Sequence, residues 1–193
     1  MSSDAEATFL FADIAGFTAL TEAHGDEEAV QLVEEFANCV QAELPRVGGE
    51  HVKTVGDALM LRVPDPADAV RLGLWIARNA MSGHQAPSVR VGGNHGSAVE
   101  RNGDYFGSTI NVAARVSALA AGGELLVTGQ TAALAPDSRV CSTSRAGGRC
   151  YATSRSLSRF SPSFDSTKLP ITWRSTPSAR WRSIQSVQPV ACC

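Results

Sequence analysis

No apolar run in this 193-residue chain approaches the roughly 18 residues that a membrane-spanning helix needs, so no membrane segment is expected. The N-terminal MSSDAEAT lacks both the basic and the apolar stretch of a secretory leader. Cysteine is scarce: five residues, an odd number without metal-like spacing, argue against a disulfide framework and against a zinc site. No internal repeat is visible. These absences leave a soluble, cytoplasmic protein as the expectation. Its 44% hydrophobic content is enough for one cored domain with an appendage.

The appendage shows in the charge. Residues 1–140 hold 9 Lys and Arg against 18 Asp and Glu, a balance of −9, whereas residues 141–193 hold 8 against 1, a balance of +7. Those last 53 residues include 12 Ser and 7 Arg, and stretches such as SRSLSRFSPSF show neither helical nor strand periodicity. A catalytic unit over residues 1–138 is therefore expected. Residues 139–193 read as an atypical Ser/Arg-rich tail, disordered or the product of a reading-frame change near Val140. Ser/Arg-rich segments can bind RNA, but no nucleic-acid partner is expected here.

Within the first part, residues 8–14 read as a buried strand, and a helix capped by Asp26 follows. Its apolar face is expected at Val30, Val33, Ala37, Val40 and Leu44. HVKTVGDALMLRV reads as two strands meeting at Gly56-Asp57, a tight-turn dipeptide. Asp65-Pro66 caps a helix running to about Met81. Ser88 to Val99 reads as a strand in which Gly92-Gly93 marks a bulge or a close backbone approach. A turn at Asn102-Gly103-Asp104, a helix over Thr109–Ala120 and a strand over Glu124–Thr128 complete the order β, α, β-hairpin, α, β, α, β. Such an order indicates an α+β sandwich rather than a doubly wound sheet.

Three places put polar groups where structure alone does not ask for them. Asp13 ends an apolar strand, where a buried carboxylate costs several kcal/mol unless neutralised. Asp57 sits in the hairpin turn. If their strands are neighbours, the two carboxylates converge, and without His or Cys nearby they suit Mg²⁺ rather than zinc. Next to Asp13, Ile14-Ala15-Gly16-Phe17-Thr18 turns from strand into helix and offers backbone N–H groups to an anion. Asn111 and Arg115, four apart on a helix, share a face and together suit a developing phosphoryl charge. Ile110, Val112, Val116 and Leu119 are expected on the core-facing side. Each feature alone is as readily a cap, a turn or a solvated face.

FADIAGFT, VKTVGDALM and GDYFGSTINVAARV, in this order and spacing, resemble the three catalytic motifs of the class III nucleotidyl cyclases. The resemblance covers about residues 7–130. It implies a ferredoxin-like palm with a mainly antiparallel sheet and helices on one face, active as a head-to-tail homodimer with shared sites. It also implies two Mg²⁺ or Mn²⁺ ions held by Asp13, Asp57 and the Ile14 carbonyl. By the same resemblance Lys53 and Asp104 recognise the base, Asn111 places the ribose, Arg115 meets the α-phosphate and Arg90 touches the triphosphate.

Lys53 can only donate and ionised Asp104 only accept, which complements the N1 acceptor and 6-amino donor of adenine; guanine reverses the order. The expected reaction is conversion of ATP to cyclic AMP and pyrophosphate. A guanylate cyclase is the less favoured variant, and a catalytically silent dimerisation or nucleotide-binding module is the alternative. The sequence departs from the pattern at two places, of which the first motivates that alternative. The Leu-Lys-Gly stretch and closing strand expected after residue 128 give way to the tail, whose only lysine is Lys168, leaving a sheet edge open. Gly93 also stands where the family usually has an apolar residue.

Overall fold

A computed structural model describes residues 4–81, 86–135, 141–142 and 149–152. The elements run β1 Asp4–Ile14, α1 Phe17–His24, α2 Asp26–Glu43, a 3-10 turn Leu44–Val47, β2 Glu50–Val55, β3 Ala58–Val63 and α3 Pro66–Asn79. Then come β4 Val89–Arg101, β5 Asp104–Phe106, α4 Ser108–Ser117, β6 Leu125–Thr128, α5 Gly129–Ala133, β7 Cys141–Ser142 and β8 Arg149–Ala152. The strands lie in the order β2-β3-β1-β4-β6-β8-β7, with β5 paired to β4. Only the β4–β6 pairing is parallel among the described strands. The mainly antiparallel α+β sheet expected from the sequence is present.

Alternation along β1 divides the core. Leu10, Ala12 and Ile14 face one way, into a large cluster with Phe36 and Val40 of α2, Leu72 and Ile76 of α3, and Leu125 of β6. Ala7, Phe9 and Phe11 face the other way, against Met60, Tyr105, and Ala113 and Ile110 of α4. The expectation of helices on one face holds for the two long helices; α4 lies on the opposite face.

Glycine makes that placement possible. A Cβ on Gly92 would overlap the Ser117 main chain and lie 2.7 Å from the Ser117 Cβ. Of the two readings of Gly92-Gly93, close approach is therefore the one realised; the β1–β4 register runs through it without interruption. Gly93 serves the other face, where an added Cβ would sit 2.6 Å from Leu10 Cδ2, so an apolar side chain there would compete with the core.

Because α4 lies so near the sheet, its buried stripe consists of the small residues Thr109, Ala113 and Ser117. That corrects the expected core face: Ile110 packs inward in part, but Val112 is 36% and Leu119 51% exposed. On α2, Val40 and the following Leu44 are buried as expected, and Val33 and Ala37 pack partly on the core. The N-terminal half, however, turns Ala29, Leu32 and Phe36 inward and leaves Val30 at 56% exposure. Gly25 rather than Asp26 caps this helix, and Asp26 falls in its acidic first turn.

Asp65 caps α3 as expected, accepting a hydrogen bond from Asp68 N at 2.9 Å. Gly56 takes a left-handed φ of 63° in the hairpin turn, and Asn102 and Gly103 do so ahead of β5, at 55° and 77°. The β6 edge, expected to lie open, pairs with β8 through Leu125–Thr128. Residues 153–193, on which most of the tail reading falls, lie outside the described residues.

Candidate active site

Asp13 occupies the last position of β1 on the face that carries α4. Its neighbours across the sheet are Ala58 of β3 and Arg90 of β4. Arg90 Nε donates to Asp13 Oδ2 at 2.6 Å, and the terminal guanidinium nitrogen Nη2 joins the same oxygen. The charge buried at the end of an apolar strand is thus neutralised from the adjacent strand, which offsets its desolvation.

The Gly56-Asp57 turn sets Asp57 one residue before Ala58 and so beside Asp13. Burial, a hydrogen bond with Asp13 and repulsion from its charge raise the Asp57 carboxyl to about 6, while the N–H groups of Asp57 and Ile14 act in the other direction. Two carboxylates that share hydrogen-bonding space form a site of hard oxygen donors with an excess of negative charge. This donor set fits one or two Mg²⁺ or Mn²⁺ ions. No group of three or more His, Cys, Asp or Glu suited to a metal occurs among the described residues. Ile14 is buried at the strand end, adjacent to the pair.

Lys53 and Asp104 form a second group. Lys53 Nζ donates to Asp104 Oδ2 at 2.6 Å, and Asp104 Oδ1 accepts from Tyr105 N. The Lys53 contact, ahead of the Tyr105 N–H, holds the Asp104 carboxyl below the usual carboxylate range. Lys53 also lies 5.8 Å from the centre of the exposed Phe106 ring.

Asn111 and Arg115 form the third group, exposed on the outer side of α4 together with Val112. Ser117 Oγ donates to Phe11 O at 3.1 Å, and Thr109 Oγ1 to Ser97 O at 2.6 Å. Both ends of the helix carrying these two side chains are therefore fixed to the sheet.

The eight residues singled out in the sequence thus assemble as Asp13, Ile14, Asp57 and Arg90 at one strand end, Lys53 with Asp104, and Asn111 with Arg115. Arg90 is among the residues that the family resemblance marks, but its pairing with Asp13 is not legible in the sequence, because it depends on the antiparallel register of β1 and β4.

The sequence matches the family model of the adenylate and guanylate cyclase catalytic domain over residues 1–149. A pH-sensitive adenylate cyclase of Mycobacterium tuberculosis is 38% identical over 122 residues, covering 63% of this chain and 30% of that protein. The chain therefore spans less than a third of that relative's length. Among solved structures, the adenylyl cyclase CyaB from P. aeruginosa superposes with a TM-score of 0.65 at 21% identity, covering 81% of this chain and 98% of that one. A guanylyl cyclase domain from the aquatic fungus Blastocladiella emersonii gives 0.70 at 21% identity, covering 78% and 95%. With the motifs, the sheet and the family match in agreement, the chain belongs to the adenylate and guanylate cyclase catalytic domain family.

Proposed function

We propose that this chain is an adenylate cyclase, forming cyclic AMP and pyrophosphate from ATP in a homodimer with shared sites. The observation that carries the choice of ATP is the Lys53–Asp104 pair, a cationic donor and an anionic acceptor held 2.6 Å apart. Lys53 donates to N1 of adenine, and Asp104 accepts from the 6-amino group.

Asp13, Asp57 and the Ile14 carbonyl would hold two divalent cations. When bound, these supply Lewis-acid activation of the ribose 3′-hydroxyl and charge neutralisation at the leaving pyrophosphate. The 3′-hydroxyl gives up its proton to solvent and its oxygen bonds to the α-phosphorus as the bond to the bridging oxygen breaks and pyrophosphate leaves; no protein nucleophile takes part. Asn111 orients the ribose, and Arg115 meets the charge that grows on the α-phosphate, a contact of a kind worth roughly 10²–10³ in rate. In this reading Arg90, paired with Asp13, meets the triphosphate.

The exposed position of Asn111, Arg115 and Val112 on one side of α4 supports completion of each site by a second copy of the chain. We take residues 1–138 as the catalytic unit and 139–193 as an atypical extension. In an incubation of the protein with ATP or GTP and Mn²⁺, separated by chromatography, cyclic AMP is the expected main product. Predominant cyclic GMP would overturn the assignment of the base. Absence of both products from a dimeric protein would favour the silent module.

A further inference from the structure

Lys53 and Asp104 reach each other from strands that share no ladder: β2 pairs with β3, and β5 with β4. β5 pairs with β4 at Val99–Arg101, yet Tyr105 of β5 lies against Phe9, whose own partner on β4 is Asn94. The β4–β5 arm is thus carried back over the sheet face toward β2. Something must hold it there, because a half-exposed lysine–aspartate pair is too weak and too mobile to fix a strand by itself.

Tyr105 makes that connection. Its ring centre lies 5.3 Å from that of Phe9, and its hydroxyl donates to Glu50 Oε1 at 2.7 Å. Arg62 lies 5.4 Å from the Tyr105 ring centre and 3.4 Å from the same Glu50 oxygen. Glu50 opens the strand that carries Lys53, three residues on, while Tyr105 directly follows Asp104. The brace is therefore anchored within three residues of the recognition pair on one side and one residue on the other. Burial and then Glu50 push the Tyr105 phenol up to about 12, so it remains a donor at any ordinary pH.

We propose that the Glu50–Tyr105 hydrogen bond, supported by Arg62, is a specificity-determining brace that fixes the spacing of Lys53 and Asp104. By doing so it sets the preference for adenine over guanine. The inference rests on the proposed role of Lys53 and Asp104 in reading the base. Discrimination of this kind works by leaving groups unpaired against the wrong ligand. A loosely held pair can exchange partners to suit guanine; a fixed one cannot. The Tyr105 hydroxyl acts through Asp104 and is a positioning group, not a catalytic one.

The experiment is an equilibrium titration of the full chain with Mn²⁺ and 3′-deoxy-ATP or 3′-deoxy-GTP, which lack the attacking hydroxyl. Tyr105→Phe keeps the ring on Phe9 and Arg62 and removes only the hydroxyl. The expected result is a fall of about tenfold in the ratio of adenine to guanine nucleotide affinity, the size of one hydrogen bond. Glu50→Ala should give the same fall and the double variant no further one, while Glu50→Gln, whose amide oxygen still accepts, should keep most of the ratio. Lys53→Ala should abolish the preference.

A merely structural role for Tyr105 would weaken both nucleotides together and leave the ratio unchanged, which would overturn the inference. Preference lost in Lys53→Ala but intact in Tyr105→Phe defeats the brace alone. No preference in the wild type, or one that survives Lys53→Ala, defeats the base-reading assignment and the brace with it. If Tyr105→Phe fails to fold, the contrast between Glu50→Ala and Glu50→Gln decides the same question.

Discussion

Replacing Gly92 by alanine tests whether the close approach of α4 to β4 is what positions Asn111 and Arg115, the proposed catalytic side chains. The new Cβ would lie 2.7 Å from the Ser117 Cβ, against an ordinary contact of 3.4 Å, and nearer still to the Ser117 backbone. A main-chain neighbour cannot rotate away, so the helix must move out by 0.7 Å or more at this point. Overpacking of this kind costs up to about 3 kcal/mol. Loss of the Ser117 Oγ to Phe11 O hydrogen bond adds about 1 kcal/mol.

A domain of this size loses roughly 2–4 °C of Tm per kcal/mol, so the expected fall is on the order of 10 °C. Because α4 carries Asn111 and Arg115, a displacement near 1 Å should also lower the cyclase rate by about 10²-fold. The assays are thermal unfolding and cyclic AMP formation at saturating ATP. Gly25→Ala is the control: it is strained at φ 92° but has open space around it, and should lose about 1 kcal/mol with the rate unchanged. A Gly92→Ala protein with a Tm within about 2 °C of wild type and an unaltered rate would refute the reasoning.

Two further predictions concern stability. Asp57 has a folded-state pKa near 6, raised from 3.8, so the metal-free fold is penalised above pH 6 and the penalty fades as the pH falls toward 3.8. Asp57→Asn should therefore stabilise the chelator-treated protein at pH 7.5 by about 1 kcal/mol after solvent screening, with the gain vanishing below about pH 4 in pH-dependent thermal unfolding. A gain that grew on acidification would contradict the sign. Asp65→Ala removes the cap of α3 and should cost about 1 kcal/mol, whereas Asp65→Asn should be nearly neutral in the same denaturation assay.

Much of this arrangement was legible in the sequence because it is local. Gly56-Asp57 fixes a two-residue hairpin, and Asp65-Pro66 starts α3, each through the conformational needs of adjacent residues. Periodicity found the helices but only part of their faces. On α2 the stripes through Val30 and through Ala29 meet at Val40, which is buried as expected, and only the sheet beneath decides between them in the first turns. On α4 the large residues were assigned inward, whereas the glycine in β4 brings the helix so near that only Thr109, Ala113 and Ser117 fit below it.

β5 and α5 escaped because three- and five-residue elements carry no periodic signal. The Arg90–Asp13 pair and the Tyr105–Glu50 brace link residues 77 and 55 positions apart, which only the folded register brings together. The motifs nonetheless marked residues that the fold brings together, Asp13 beside Asp57 and Lys53 against Asp104.

The central claim, a cyclase whose sites are shared between two copies, is tested most directly by mixing two inactive variants. One carries Asp13→Ala with Asp57→Ala, the other Asn111→Ala with Arg115→Ala. Each alone should form essentially no cyclic AMP. Random pairing makes half of the dimers mixed, each with one intact site of two, so the mixture should recover about a quarter of the wild-type rate. A mixture as inactive as its components, with mixed dimers demonstrably formed, would contradict the shared site.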